Sequence, residues 1–147
     1  MKWITSARPK TDRIACPWLI SNFIDPGGEI LYVPAGQVLD EAQRQDAISF
    51  DAPGARYTHR DGKCTFEVLI EDYHLDDSDP ALTRLAKIVH AADIADDLDT
   101  DPAGPGLLAI GVGGLDAEPD DYPLLDKGRF VYDALYAWCQ RQVPAPA

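Results

Sequence analysis

The chain has 147 residues, 25 of them Asp or Glu against 13 Lys or Arg, for a formal net charge of −12 and an isoelectric point of about 4.4. At this length one hydrophobic core suffices, and 46% hydrophobic content can build it, so general disorder is excluded. So negative a body repels polyphosphate, which argues against free-standing nucleic-acid binding and against anionic membrane surfaces. In chain order, residues 2–7 read as a short strand. Thr11 or Asp12 then caps a helix carrying Ile14, Trp18, Leu19, Ile20, Phe23 and Ile24, stopped by Asp25-Pro26-Gly27-Gly28. That helix is apolar nearly all round and belongs inside the molecule, with Pro17 predicting a kink or an irregular first turn.

Residues 29–33 form a second β-type run closed by Pro34, residues 38–45 a polar helix, and residues 48–50 and 57–59 two short strands around Pro53-Gly54. From Cys64 on, helices dominate. Phe66, Leu69, Ile70 and Tyr73 share one helical face, and Asp79-Pro80 supplies an N-cap followed by Pro at the first helical position. The helix that follows is predicted to reach about Asp96. A Gly-interrupted apolar run spans 107–115, and a last helix spans about 124–142. The fold class is α+β: a mostly helical single domain over residues 1–142, with a small β-sheet in the N-terminal half and a disordered Pro/Ala tail at 143–147. No apolar run is long enough to span a bilayer and the start has no signal-peptide core, so a cytoplasmic location is expected.

Asp93 is the clearest anomaly, because it falls on the buried stripe formed by Leu82, Leu85, Ala86, Val89 and Ala92. A carboxylate there needs a hydrogen bond, an Arg or Lys partner, or a metal. His59, Cys64 and Glu67 gather where a strand end, a glycine turn and a helix start meet. Imidazole with carboxylates suits zinc, manganese or iron, and the Cys64 thiolate would favour zinc. An ordinary hydrogen-bonded His59 is the competing reading. His90, one turn before Asp93, can add a second imidazole, whereas His74 reads as a solvated helix end. Arg8-Pro9-Lys10-Thr11-Asp12-Arg13 inverts the overall charge locally at a helix start, a setting for an oxyanion such as phosphate, sulfate or chromate; the alternative is pairing with the surplus acids.

Three cysteines are too few and too scattered for a disulfide framework and read as thiols: Cys16 and Cys139 as packing, Cys64 as a helix-start thiol of lowered pKa. Asp133 reads as a solvated partner of Arg129. Gly111-Val112-Gly113-Gly114 lacks the Lys-Ser/Thr of a phosphate loop.

The block from Lys2 through Ile20, with Arg8-Pro9-Lys10-Thr11-Asp12-Arg13 and Ala15-Cys16-Pro17-Trp18 at its centre, resembles the opening of the chromate-resistance family (ChrB-type, C-terminal domain). The similarity continues through Phe23-Ile24-Asp25-Pro26, Leu31-Tyr32-Val33-Pro34, Phe50-Asp51-Pro53-Gly54 in spaced form, His59 with Cys64-Thr65-Phe66-Glu67, Ile88-Val89 with Ala92-Asp93, residues 106–110 and residues 131–139. It departs at His90, where the family carries a basic residue, and near Ala103, where it carries Gln or Glu. The resemblance implies a role in chromate resistance or its regulation. It also implies longer relatives with a further N-terminal region, without which an acidic domain suits ligand sensing or catalysis better than repression.

It groups Arg8, Lys10, Asp12, Arg13, His59, Glu67, Asp93 and Asp133 into one polar site. The expectation is an oxyanion site on Arg8, Lys10 and Arg13 beside a divalent-metal site on His59, Glu67 and Asp93, with a small oxyanion or metal as partner. The alternatives are a small metal-dependent enzyme, hydrolytic or redox, and a structural module in which Asp93 pairs with Arg8 or Arg13.

Overall fold

A computed structural model describes residues 1–143, so the predicted tail lies, apart from Val143, outside the described residues. Strand β1 (Lys2–Ser6) is the centre of a three-stranded parallel sheet, flanked by β2 (Glu29–Val33) and β3 (Ile48–Ser49). Lys2 pairs with Glu29 and Ser6 with Val33 on one side, Trp3 with Ile48 and Ile4 with Ser49 on the other. A central parallel strand is covered on both faces. Trp3 accordingly joins the main core, while Ile4 packs in a smaller cluster with Val38, Ala42, Ala52 and Ala55 beneath helix α2 (Val38–Gln45). The expected strand pair at 48–50 and 57–59 shrinks to β3 and an isolated Phe50–Tyr57 bridge. Asp51, with φ of 48°, turns the chain out of the strand.

Helix α1 (Asp12–Leu19) connects β1 to β2 and is buried nearly all round, as its sequence predicts. Pro17 has no N–H for the Arg13 carbonyl one turn earlier. The Tyr32 hydroxyl donates to that carbonyl instead, at 2.7 Å, and the helix ends in a widened π turn at Ile20–Ile24. The remaining helices are α3 (Thr65–Asp72), α4 (Pro80–Asp93), α5 (Gly104–Ala117) and α6 (Asp121–Gln142). Asp79 caps α4 by accepting from the Leu82 N–H at 3.1 Å.

Helix α4 stops at Asp93 rather than near Asp96, giving way to a 3₁₀ turn at Ala95–Thr100. Carboxylates at 96, 97 and 99 would crowd the negative end of the helix dipole, which opposes further extension. No helix among the described residues is long and apolar enough to cross a membrane.

The Gly-interrupted run is helix α5, with Gly111, Gly113 and Gly114 in its interior, so it is no phosphate loop. Glycine lowers helix propensity, and this helix is held by packing. At Gly104 a Cβ would lie 2.7 Å from the Ala91 Cβ and 3.0 Å from the Leu98 carbonyl oxygen, neither of which is a flexible side-chain end. Gly104→Ala should therefore cost about 1–3 kcal/mol by overpacking. That corresponds to a fall of about 2–12 °C in Tm. Thermal denaturation by circular dichroism checks this, and an unchanged Tm would contradict the close approach of α4 and α5.

Candidate functional site

The site is built around the N-terminus of α3. Cys64 caps that helix, and the N–H groups of Thr65 and Phe66 have no partner within it. Asp12, the first residue of α1 and fully buried, supplies one: Oδ2 accepts from the Thr65 N–H at 2.8 Å and Oδ1 from the Phe66 N–H at 3.2 Å. An acid that reads as the opening of its own helix thus caps another, bringing α1 and α3 together with a carboxylate between them. The preceding residue, Thr11, holds φ of 43°, an uncommon conformation for a β-branched side chain and one that aims Asp12 inward.

His59 enters from the loop after the Phe50–Tyr57 bridge. Its Nε2 lies 2.9 Å from Asp93 Oδ2, 3.5 Å from Asp51 Oδ1 and 3.6 Å from Asp12 Oδ2. Asp51 is fixed by the Thr65 hydroxyl, which donates to Oδ1 at 2.7 Å, and by Arg13 Nε, 3.7 Å from Oδ2. His59 is 46% exposed, while Asp51 and Asp93 are 15% and 16% exposed, so the cluster opens to solvent on the imidazole side. Ligand atoms of Asp12, Asp51 and His59 lie within 4.8 Å of one another, near enough for one first-row cation, and Asp93 meets this group through His59.

The electrostatics are short of positive charge. Burial is the main cause of the Asp12 carboxyl being pushed up to about 8, with Asp93 and Asp51 adding to it and His59 opposing. Burial, then the charge of Asp51, raises Asp93. Hydrogen bonds to Asp12 and Asp51 push His59 up to about 10. A proton is partial compensation for three clustered carboxylates, and a divalent cation is a fuller one.

Glu67, expected beside His59, belongs to a neighbouring cluster. As the third residue of α3 it folds back to accept from the Cys64 N–H at 3.1 Å, and it meets His90 Nδ1 at 2.5 Å. His90 Nε2 faces Asp97 at 2.6 Å. The Cys64 thiol, read as acidified by the helix start, is instead pushed up by burial, with Asp12 adding to the effect. Cys16, Cys64 and Cys139 are all free and buried.

The three cations expected to hold an oxyanion are not gathered on one point. Arg8 ends α5: its guanidinium donates to the carbonyls of Leu115, Glu118 and Pro119 at 2.7, 2.9 and 2.7 Å and to Asp121 at 3.0 Å. Arg13 donates to the carbonyls of Ser6 and Ala7 at 3.1 and 2.9 Å, closing the end of β1. The Lys10 stem packs where a Cβ on Gly111 would meet it at 2.8 Å. The Asp93–Arg bridge of the structural-module alternative does not form among the described residues, since Arg8 pairs with Asp121 and Arg13 approaches Asp51. Asp133 is exposed and accepts from Trp18 Nε1 at 2.8 Å, while Arg129 reaches Ser21 and Asp126. His74 is exposed, as read.

Asp12 and Asp51 are the site residues missed by reading single positions. The one signal for Asp12 was its place in the motif block shared with the family. For Asp51 it was the family-like stretch Phe50-Asp51-Pro53-Gly54.

Comparison with known proteins agrees with that block. The family model "ChrB, C-terminal domain" matches residues 3–139. Protein ChrB of Cupriavidus metallidurans is 36% identical over 138 residues, covering 92% of this chain and 40% of the relative, so the chain spans well under half of that protein's length. No solved structure matches. With the match running from β1 into the last turns of α6 and enclosing every residue of both clusters, the chain belongs to the chromate-resistance family of ChrB C-terminal domains.

Proposed function

We propose that this chain is a ligand-sensing domain for chromate resistance that works by holding a divalent cation (manganese, iron or zinc) on Asp12, Asp51, His59 and Asp93. The observation that carries the reading is the convergence of three carboxylates, one of them fully buried, on a single imidazole nitrogen. Three oxygens and one nitrogen suit hard to borderline cations.

The oxyanion part of the reading is weaker. Arg8 and Arg13 are spent on carbonyls and carboxylates, and Lys10 alone of the three has no ion pair among the described residues. Sensing follows from what the cation would join: α1 through Asp12, α4 through Asp93 and the 51–59 loop through Asp51 and His59. Filling the site therefore tightens contacts between segments far apart in sequence.

The test is the metal content of tag-free protein by elemental mass spectrometry, beside His59→Ala and Asp93→Ala variants verified as folded. Near-stoichiometric metal, reduced by about one equivalent in each variant, is the expected result. Protein that takes up no manganese, iron or zinc after reconstitution, or variants that retain all of it, would overturn the reading. Turnover of a substrate by the loaded protein, lost in folded His59→Ala, would move the assignment to a metal-dependent enzyme.

A further inference from the structure

We infer that a second cation site, softer than the first and suited to zinc, is formed by Cys64, Glu67 and His90, with Asp97 as its positioning residue. The Cys64 sulfur, a Glu67 carboxylate oxygen and a His90 ring nitrogen all lie within 4.8 Å of one another. Helix geometry brings them together. Cys64 and Glu67 occupy one turn at the start of α3, and His90 sits three residues before Asp93 on α4, so the two sites are neighbours across the same pair of helix ends.

The contact to Asp97 carries the argument. A metal-bound imidazole commonly donates its remote N–H to a carboxylate, which fixes the tautomer and the ring plane. His90 has this arrangement: Nε2 faces Asp97 at 2.6 Å, and Nδ1 points at Glu67 beside the Cys64 sulfur. Asp97 belongs to the 3₁₀ turn that begins where α4 stops early, so the break in the helix is also what brings this carboxylate back over His90.

Without metal, the Glu67–His90 contact is bridged by a proton and burial keeps Cys64 as the neutral thiol. A divalent cation replaces both. The Cys64 S–H bond breaks and its electron pair becomes the sulfur–metal bond; the proton on His90 Nδ1 leaves in the same way, and both protons pass to solvent without any change of oxidation state. Sulfur, nitrogen and one oxygen prefer zinc to manganese, the reverse of the oxygen-rich site at His59. Glu67 also lines a cleft of about 100 Å³ with Lys63, Ile70 and Thr83, so the carboxylate edge of the cluster faces open space.

The assignment does not depend on the His59 site, and cobalt(II), a spectroscopic stand-in for zinc, separates the two. Metal-stripped full chain titrated with cobalt should develop a thiolate-to-cobalt charge-transfer band in the near ultraviolet. Cys64→Ser should abolish that band and lower the cobalt bound by about one equivalent. The hydroxyl is nearly isosteric and a good N-cap, so the helix start is kept. His59→Ala should retain the band. Asp97→Asn, at a half-exposed position, should keep the band but weaken cobalt binding about 10–100-fold. Absence of the band from the wild-type titration, or its persistence in Cys64→Ser, would overturn the proposal. Loss of one equivalent in His59→Ala with the band intact would leave both sites standing. A band without that loss would retain this site and reject the first.

Discussion

Asp12→Asn should leave the metal-free fold within about 1 kcal/mol of wild type while lowering cation affinity at least about 100-fold, a larger loss than outer-shell substitutions typically cause. The two halves of this result have different origins. In the metal-free chain, burial pushes the Asp12 carboxyl up to about 8, so near neutral pH it is held largely as the uncharged acid. Asn reproduces that state: its oxygen still accepts one of the two α3 N–H groups, and like the uncharged acid it places no charge against Asp51 and Asp93. The cation, by contrast, needs the carboxylate. Asp12→Ala is the contrasting variant, because it leaves the Thr65 and Phe66 N–H groups buried with no acceptor, at about 1–3 kcal/mol each. Chemical denaturation of metal-stripped protein and calorimetric titration with manganese, which the Cys64 site disfavours, measure the two halves separately. Unchanged affinity in Asp12→Asn would remove Asp12 from the ligand set.

Much of the fold was legible because its signals are local. The Asp79-Pro80 cap, the all-round apolar α1 and the 3.6-residue face of α3 each depend on neighbours a few residues away, and each element begins where expected. Asp93 was legible as a misplaced carboxylate for the same reason. Its partner His59 lies 34 positions earlier on a loop whose path is set by Asp51 and the parallel register of β3, so local periodicity did not point to it; the family resemblance did, by grouping the two in one polar site. Charge chemistry pointed to arginine, yet Arg8 and Arg13 are drawn off by carbonyls at the ends of α5 and β1, which composition cannot reveal.

Glu67 was placed at the right helix but with the wrong histidine. At the third position of α3 it is directed back to the Cys64 N–H and across to α4, where His90 waits. Asp12 was hidden by its ordinariness, since an acid at a helix start is usually that helix's own cap.

Trp18→Ala should be among the most destabilising single changes, and a bound cation should restore part of the loss. Trp18 is 2% exposed and joins three helices: its ring stacks on Phe66 of α3 at 6.5 Å, lies 5.5 Å from Tyr136 of α6, and its Nε1 donates to Asp133. Removing so large a buried aromatic costs about 3–5 kcal/mol. For a chain of this size that lowers Tm by about 6–20 °C. The damage falls on the interface that places Asp12 against α3, since Phe66 both stacks on Trp18 and donates its N–H to Asp12.

A cation that binds only the folded state opposes the loss by mass action, with about 2.7 kcal/mol at a hundredfold excess over Kd. The increment should therefore appear in Trp18→Ala with saturating manganese, the cation that the sulfur-containing Cys64 site disfavours, and vanish in Trp18→Ala/His59→Ala. Denaturant titrations of both variants with and without metal decide the matter. Equal rescue in the two would mean that the stabilising cation sits somewhere other than the His59 site.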